Sequence, residues 1–154
     1  MTPRLLDLRF RAALWIRARM MPLRVRGMGL KPLLELYEPG RARPFVGVEP
    51  AEMLEAVRRV THHPWGMRDR RCLRQGLLAY RYLSMAGLAP ALHFGVDRNS
   101  ISDPKISAHC WIVLDGKVVL NPPGEAMVTV FVYDGPRSLA GARVPEQVVD
   151  RSIA

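Results

Sequence analysis

Residues 105–123 read KISAHCWIVLDGKVVLNPP, and the fold class turns on them. HCWIVL (109–114) and KVVL (117–120) are short, rich in β-branched residues and separated by Asp115-Gly116, a dipeptide that favours a tight hairpin. Two further segments have the same character, ALHFGV (91–96) ahead of the hairpin and MVTVFVY (127–133) behind it. The polar stretch DRNSISDPKISA (97–108) is expected to be a surface loop. Ahead of Pro90 the apolar residues recur at helical spacing instead. Helices first and antiparallel strands second describe an α+β domain.

The helical half divides at its prolines and glycines. Residues 4–20 carry an imperfect stripe, with Leu6, Phe10, Ala13 and Met20 on one side, Arg4, Asp7, Arg11 and Arg19 on the other, and Arg9 and Arg17 interrupting it. Pro22 is expected to end this helix, which reads either as a docking helix packed on the domain or as an interfacial membrane helix. A short helix from Pro32 to Tyr37 and the loop EPGRARP (38–44) follow. Pro50 suits the first turn of a helix with core positions Met53, Ala56, Val57 and Val60, which should stop by His63. MRDRRCLRQGLLAYRYLSMAGLAP (67–90) is the strongest helix, with Asp69 as N-cap, Leu73, Leu77, Tyr80 and Ser84 at helical spacing, and Gly87 as C-cap. Cys72 then falls in its first turn.

At 154 residues, 49% hydrophobic and 24% charged, the chain has the size and composition of one globular domain. We divide that domain, 1–154, into a helical N-terminal segment (1–48), helices that include Cys72 (49–88), an antiparallel sheet (89–135) and a tail (136–154). Arginines break every apolar stretch before it reaches the length of a membrane span, and no secretory signal pattern is present, so a cytoplasmic location is expected. There Cys72 and Cys110 are expected as free thiols. The net charge of +9 is lopsided: residues 1–74 hold 16 basic against 7 acidic residues, and residues 75–154 hold 7 of each. Such a half can attract nucleic acid, an anionic membrane or an acidic polypeptide, or simply be solvated.

A thiol in the first turn of a helix faces unpaired backbone N–H groups and the positive end of the helix dipole, which favour the thiolate. Arg70, Arg71 and Arg74 add to that field. Cys72 is therefore the candidate nucleophile and its backbone N–H a candidate oxyanion donor. A thiolate needs a base, and the base needs a group to fix its tautomer. His109 is the candidate base. If Asp115-Gly116 were a two-residue turn, His109 would face Pro122 and Asn121 would point to the other side of the sheet. A three-residue loop over 114–116, with Gly116 in the left-handed region, instead sets His109 opposite Asn121 and brings an amide oxygen to the imidazole. Alternation along the strand then sends Cys110 to the core face. Trp65 and Trp111 flank the site in sequence and are candidate substrate-binding side chains, with core packing as the alternative. His62 and His63 lack further ligands at compatible spacing, so no metal is expected, and neither is another cofactor.

PW (64–65), RCLRQGLLAYRYLSMAGLAPALHFGV (71–96) and AHCWIVLDGKVVLN (108–121), with LRFRAALWIRARMMPLRV (8–25) at the front, resemble the transglutaminase-like leader peptidases of lasso-peptide biosynthesis, the B-protein family. The likeness covers roughly residues 4–121. It implies a papain-like or transglutaminase-like fold and a Cys-His-Asp triad that cuts the leader from a ribosomally made precursor. Cys72 matches the nucleophile and His109 the base, while Asn121 stands where the family usually has aspartate. An asparagine orients the ring without adding charge. Cys110 also stands where the family usually has a small residue. The resemblance further implies a separate leader-binding protein, since the chain has no room for that domain, and a lasso cyclase acting afterwards. Peripheral membrane contact remains compatible with the N-terminal helix, and no nucleic acid partner is expected. Two other functions fit the same residues: an acyl transferase that gives the acyl group to an amine, and a non-catalytic basic binding module.

Overall fold

Pro22 does not end the first helix. The computed structural model, which describes residues 3–63, 67 and 70–141, runs α1 from Pro3 to Arg24 with Pro22 inside its last turn. Proline has no N–H for the carbonyl four residues back, that of Ala18. Ala18 is fully buried, so its oxygen needs another donor. Arg74, on α4 (Arg71–Met85), supplies it: Nη2 donates to Ala18 O at 3.0 Å and Nη1 to His63 O at 2.9 Å. The Arg74 side chain is only 2% exposed, and no carboxylate among the described residues pairs with it. Burial, with Arg19 close by, lowers the pKa of its guanidinium. Its neighbour Gln75 donates from Nε2 to Thr61 Oγ1 at 2.9 Å, and that hydroxyl donates on to Val57 O at 2.6 Å. Two adjacent residues of α4 thus pin α1 and the end of α3 (Pro50–Val60).

The apolar spacing explains how the helices pack. The inner face of α1 is Phe10, Leu14, Ala18 and Met21, continued by Val25. This corrects the expected stripe, because Met20 faces outward. Phe10 meets Phe45 and Tyr82 edge-on, at 5.7 and 5.5 Å between ring centroids, joining α1 to α4. The short α2 (Leu30–Tyr37) buries Leu30, Leu33, Leu34 and Tyr37, one face at helical spacing. Pro50 opens α3 at N1, as its missing N–H allows. At the far end of α4, Gly87 has φ +87°, Gly87 N donates to Ser84 O and Leu88 N to Leu83 O, a Schellman stop. At the near end the N-cap position falls on Arg70, which makes no side-chain cap, and Asp69 lies outside the described residues.

The strands are β1 (Ala91–Asp97), β2 (Ala108–Leu114), β3 (Lys117–Leu120) and β4 (Met127–Tyr133), in the spatial order β3-β2-β1-β4 and antiparallel throughout. A short helix, α5 (Pro136–Gly141), follows. α4 lies on one face of this sheet, and Gly76 sets how closely. A Cβ there would stand 2.8 Å from Leu92 Cδ1 and 3.2 Å from Cys110 Sγ. The mixed helical and antiparallel architecture is the expected α+β fold.

The hairpin corrects the expected register. Leu114 pairs with Lys117 and Val113 with Val118, so Asp115 (φ 50°) and Gly116 (φ 75°) form a two-residue turn of type I′. A bulge then shifts the ladder, and Ile112 pairs with Leu120. Both left-handed residues suit the strand twist, which a three-residue loop was not needed to provide.

Arg74→Met, which keeps the apolar stem, should lower stability by about 2 kcal/mol by stranding the buried Ala18 oxygen. Adding Pro22→Ala returns an N–H to that oxygen and should recover about half the loss. Urea unfolding of the two single variants and the double variant measures the coupling, and additive effects would refute the link. Gly76→Ala should destabilise the protein by about 1–3 kcal/mol despite alanine's better helix propensity, because α4 must back away from Leu92 and Cys110.

Candidate active site

Three chain segments meet at the leading end of α4. Cys72, the second residue of that helix, is half-buried. Arg70, the N-cap residue, makes no side-chain cap, and the first turn of a helix carries N–H groups, that of Cys72 among them, that favour an anion. His109 is the second residue of β2, and Asn121 follows the last residue of β3.

The Cys72 thiol is drawn down from its ordinary 9.0 to about 4. The largest cause is a hydrogen bond from the Cys110 thiol. Burial opposes it, and the His109 ring, the Cys110 backbone N–H and the imidazolium charge add to it. Raised by its bond to Cys72, against burial, and further by the thiolate charge and the carbonyl of Asn121, His109 holds its proton above the usual 6.5. The Cys110 thiol, fully buried beside Cys72, is pushed well up and stays protonated. Of two adjacent sulfurs, one is a thiolate and the other its donor. Cys110 lies on the core face as alternation requires, yet its Sγ and N–H reach Cys72 because Gly76 lets α4 settle onto that face.

Asn121 reaches the site through atoms other than those expected. Its backbone oxygen lies 3.1 Å from His109 Nε2, and its side-chain Nδ2 donates to Cys72 O at 3.3 Å. A carbonyl oxygen can only accept, so Nε2 carries a proton in both forms of the ring. Nδ1 is then the nitrogen at which the two forms of the ring differ. Asn121 has φ 53°, which turns the chain back after the bulge and aims its carbonyl at the ring. The orienting group is a neutral peptide carbonyl, and the amide side chain ties the end of β3 to the start of α4. The two-residue turn and the bulge thus bring the backbone carbonyl of Asn121, and not its side-chain amide oxygen, to the ring.

Trp111 is 5% exposed, stacks on His109 at 6.2 Å and meets its cross-strand partner His93 at a tilt at 5.6 Å, forming a wall beside the His109 ring. A Cβ on Gly95 would strike its ring at 2.8 Å, so the indole lies flat on bare backbone. His62 and His63 are exposed and touch each other edge-on. Trp65 lies outside the described residues. Two features of the site were not anticipated from sequence: the thiol of Cys110 and the backbone oxygen of Asn121. The departure from a small residue after His109 was the signal for the first, and an asparagine just after a bulged strand, where αL backbone is common, was the signal for the second.

Alkylation of Cys72 by iodoacetamide should turn on with an inflection near pH 4, since a lowered thiol pKa makes the thiolate available above that value. Cys110→Ala and His109→Ala should each move the inflection upward; a profile unchanged by Cys110→Ala would remove that thiol from the site. The ion pair should persist until His109 loses its raised proton, so a reaction needing both groups rises through the acid limb and falls above pH 6.5. Asn121→Gly keeps both the left-handed backbone and the carbonyl, and should lower turnover by about tenfold or less. A side chain acting as the third triad member would make the same change cost far more, about 10⁴-fold.

Comparison with curated proteins and with solved structures returned no match. A family model described as the transglutaminase-like superfamily matches residues 5–132, which span α1 to β4 and contain Cys72, His109 and Asn121. The chemistry typical of that group is of the cysteine peptidase and acyl transferase type. This chain belongs to the transglutaminase-like superfamily.

Proposed function

We propose that the protein is a cysteine peptidase that removes the leader from a ribosomally made lasso-peptide precursor, with a separate leader-binding protein delivering the substrate and a lasso cyclase taking the product. The observation that supports the enzymatic part is the meeting of Cys72 at the leading end of α4 with His109, whose Nε2 is held by Asn121 O, the thiol drawn down first by Cys110 and then by His109, and the imidazole drawn up by Cys72. The precursor and the partner proteins rest on the sequence resemblance of the Cys72 and His109 segments.

In this mechanism the Cys72 thiolate attacks the scissile carbonyl carbon. The oxygen becomes an oxyanion facing the first-turn N–H groups of α4. Collapse of the adduct expels the amine, which takes a proton from His109 Nδ1. A thioester remains on Cys72. Nδ1 then removes a proton from water, the hydroxide displaces the sulfur, and the thiolate returns to its imidazolium partner. Trp111 keeps the ring from tilting away. Asn121 O holds Nε2–H through both steps.

Incubating precursor and leader-binding protein with wild type should release the leader at one peptide bond, read by mass spectrometry. Cys72→Ala should abolish cleavage, and His109→Ala should slow it by about 100-fold or more. Cleavage by Cys72→Ala would refute the nucleophile. A product mass showing amine incorporation in place of hydrolysis would move the assignment to acyl transfer on the same thioester.

A further inference from the structure

We propose that the outward face of α1 is a docking surface that seats the protein on an anionic lipid bilayer. This stands on α1 alone and is independent of the reaction assigned to Cys72.

The helix is apolar on two opposite sides. Its inner side is buried against α3 and α4. On its outer side Leu8, Trp15, Ile16, Met20 and Leu23 are between 40% and 82% exposed, and they make up half of the large exposed apolar side chains among the described residues. At 100° per residue these five share an arc of about 140°, and at 1.5 Å per residue the arc runs for roughly 22 Å. A water-facing helix has no reason to concentrate apolar side chains there.

The charge around the stripe selects the occupant. Arg9, Arg11, Arg19, Arg24 and Arg26 are exposed on the same helix and the turn after it. The one acidic residue of the helix, Asp7, is bound by Arg11 at 2.8 Å. Arg19 falls within the apolar arc, its guanidinium 5.3 Å from the Trp15 ring centroid. A second copy of this chain would bring the same exposed arginines against these and be repelled. A bilayer surface accepts them, because an arginine beside inserted apolar side chains extends its head to the phosphates.

Grooves on both flanks repeat the pairing of guanidinium and apolar floor. One, of about 320 Å³, places Arg19 and Arg59 around Leu14 and Val60. The other, of about 240 Å³, places Arg17, Arg24 and Arg81 around Ile16 and Phe45. Each offers a phosphate site beside space for hydrocarbon. No helix among the described residues is long and apolar enough to cross a membrane, so the contact is peripheral.

The full chain should pellet with vesicles of phosphatidylglycerol and phosphatidylcholine and stay in the supernatant with phosphatidylcholine alone, and the binding should weaken with added salt. Replacing Leu8, Trp15 and Leu23 together by serine should abolish pelleting while leaving the melting temperature and Cys72 alkylation unchanged. Arg19→Gln should weaken binding about fivefold. Replacing Val118, Val128 and Val130 by serine, exposed apolar residues on the sheet, should change nothing. Failure to pellet with phosphatidylglycerol vesicles, or wild-type pelleting by the α1 triple variant, overturns the proposal. So does a wild-type dimer that the same triple variant dissociates, since the face would then belong to a second copy of the chain.

Discussion

A missing N–H in α1 is answered by a guanidinium from α4, and the rest of the structure hangs from that bond. Pro22 strands the Ala18 oxygen in the middle of the helical core, where water cannot reach it. Arg74 fills the gap and uses its other nitrogen to hold His63 O, the last described carbonyl before residue 67. One side chain therefore fixes α1, the exit of α3 and the start of α4 in a common frame. The residue two positions before it is Cys72. A buried cation is a costly device, and among the described residues two backbone carbonyls, with no carboxylate, accept from it. What it secures is the position of the helix end that carries Cys72 toward His109 and Cys110.

On the opposite side of α4 the absence of a side chain does similar work. Gly76 lets the helix touch Leu92 and Cys110, which brings a second sulfur and a strand N–H to Cys72. The two thiols are chemically alike in sequence and unlike in place. Cys110 is sealed and keeps its proton; Cys72 is at a helix terminus, half-open, with a cation beside it. The hydrogen bond between them, given by the sealed thiol to the one beside the imidazole, decides which sulfur is favoured as thiolate.

The orienting group for His109 is a peptide carbonyl, so the imidazolium is steadied without a third charge. The thiolate is then what chiefly raises His109, while the thiolate itself is held first by the Cys110 thiol and only then by the imidazole. That arrangement fits a position where the superfamily resemblance leads one to expect aspartate and asparagine stands instead. Lacking a carboxylate, the chain supplies orientation through a left-handed residue at the end of β3.

Much of this was legible in the amino-acid order. The periodicities of 3.6 and 2, the proline at 50, the glycine at 87 and the Asp115-Gly116 turn define the elements nearly to the residue, because each reflects local backbone sterics and local burial. Cys72 in a first turn and His109 on the next sheet follow from those elements. Pairing register, the shared sulfur contact and the span of α1 past Pro22 do not. Each depends on a partner distant in the chain: a bulge that only the β2–β3 ladder reveals, a helix approach set by Gly76, and an arginine 56 positions away from the carbonyl it satisfies. By itself the sequence determined which helices and strands form and which residues could carry chemistry, since those are settled within a few residues. Tertiary structure alone decided which atoms meet, since long-range packing chooses among the donors and acceptors that a local pattern leaves open.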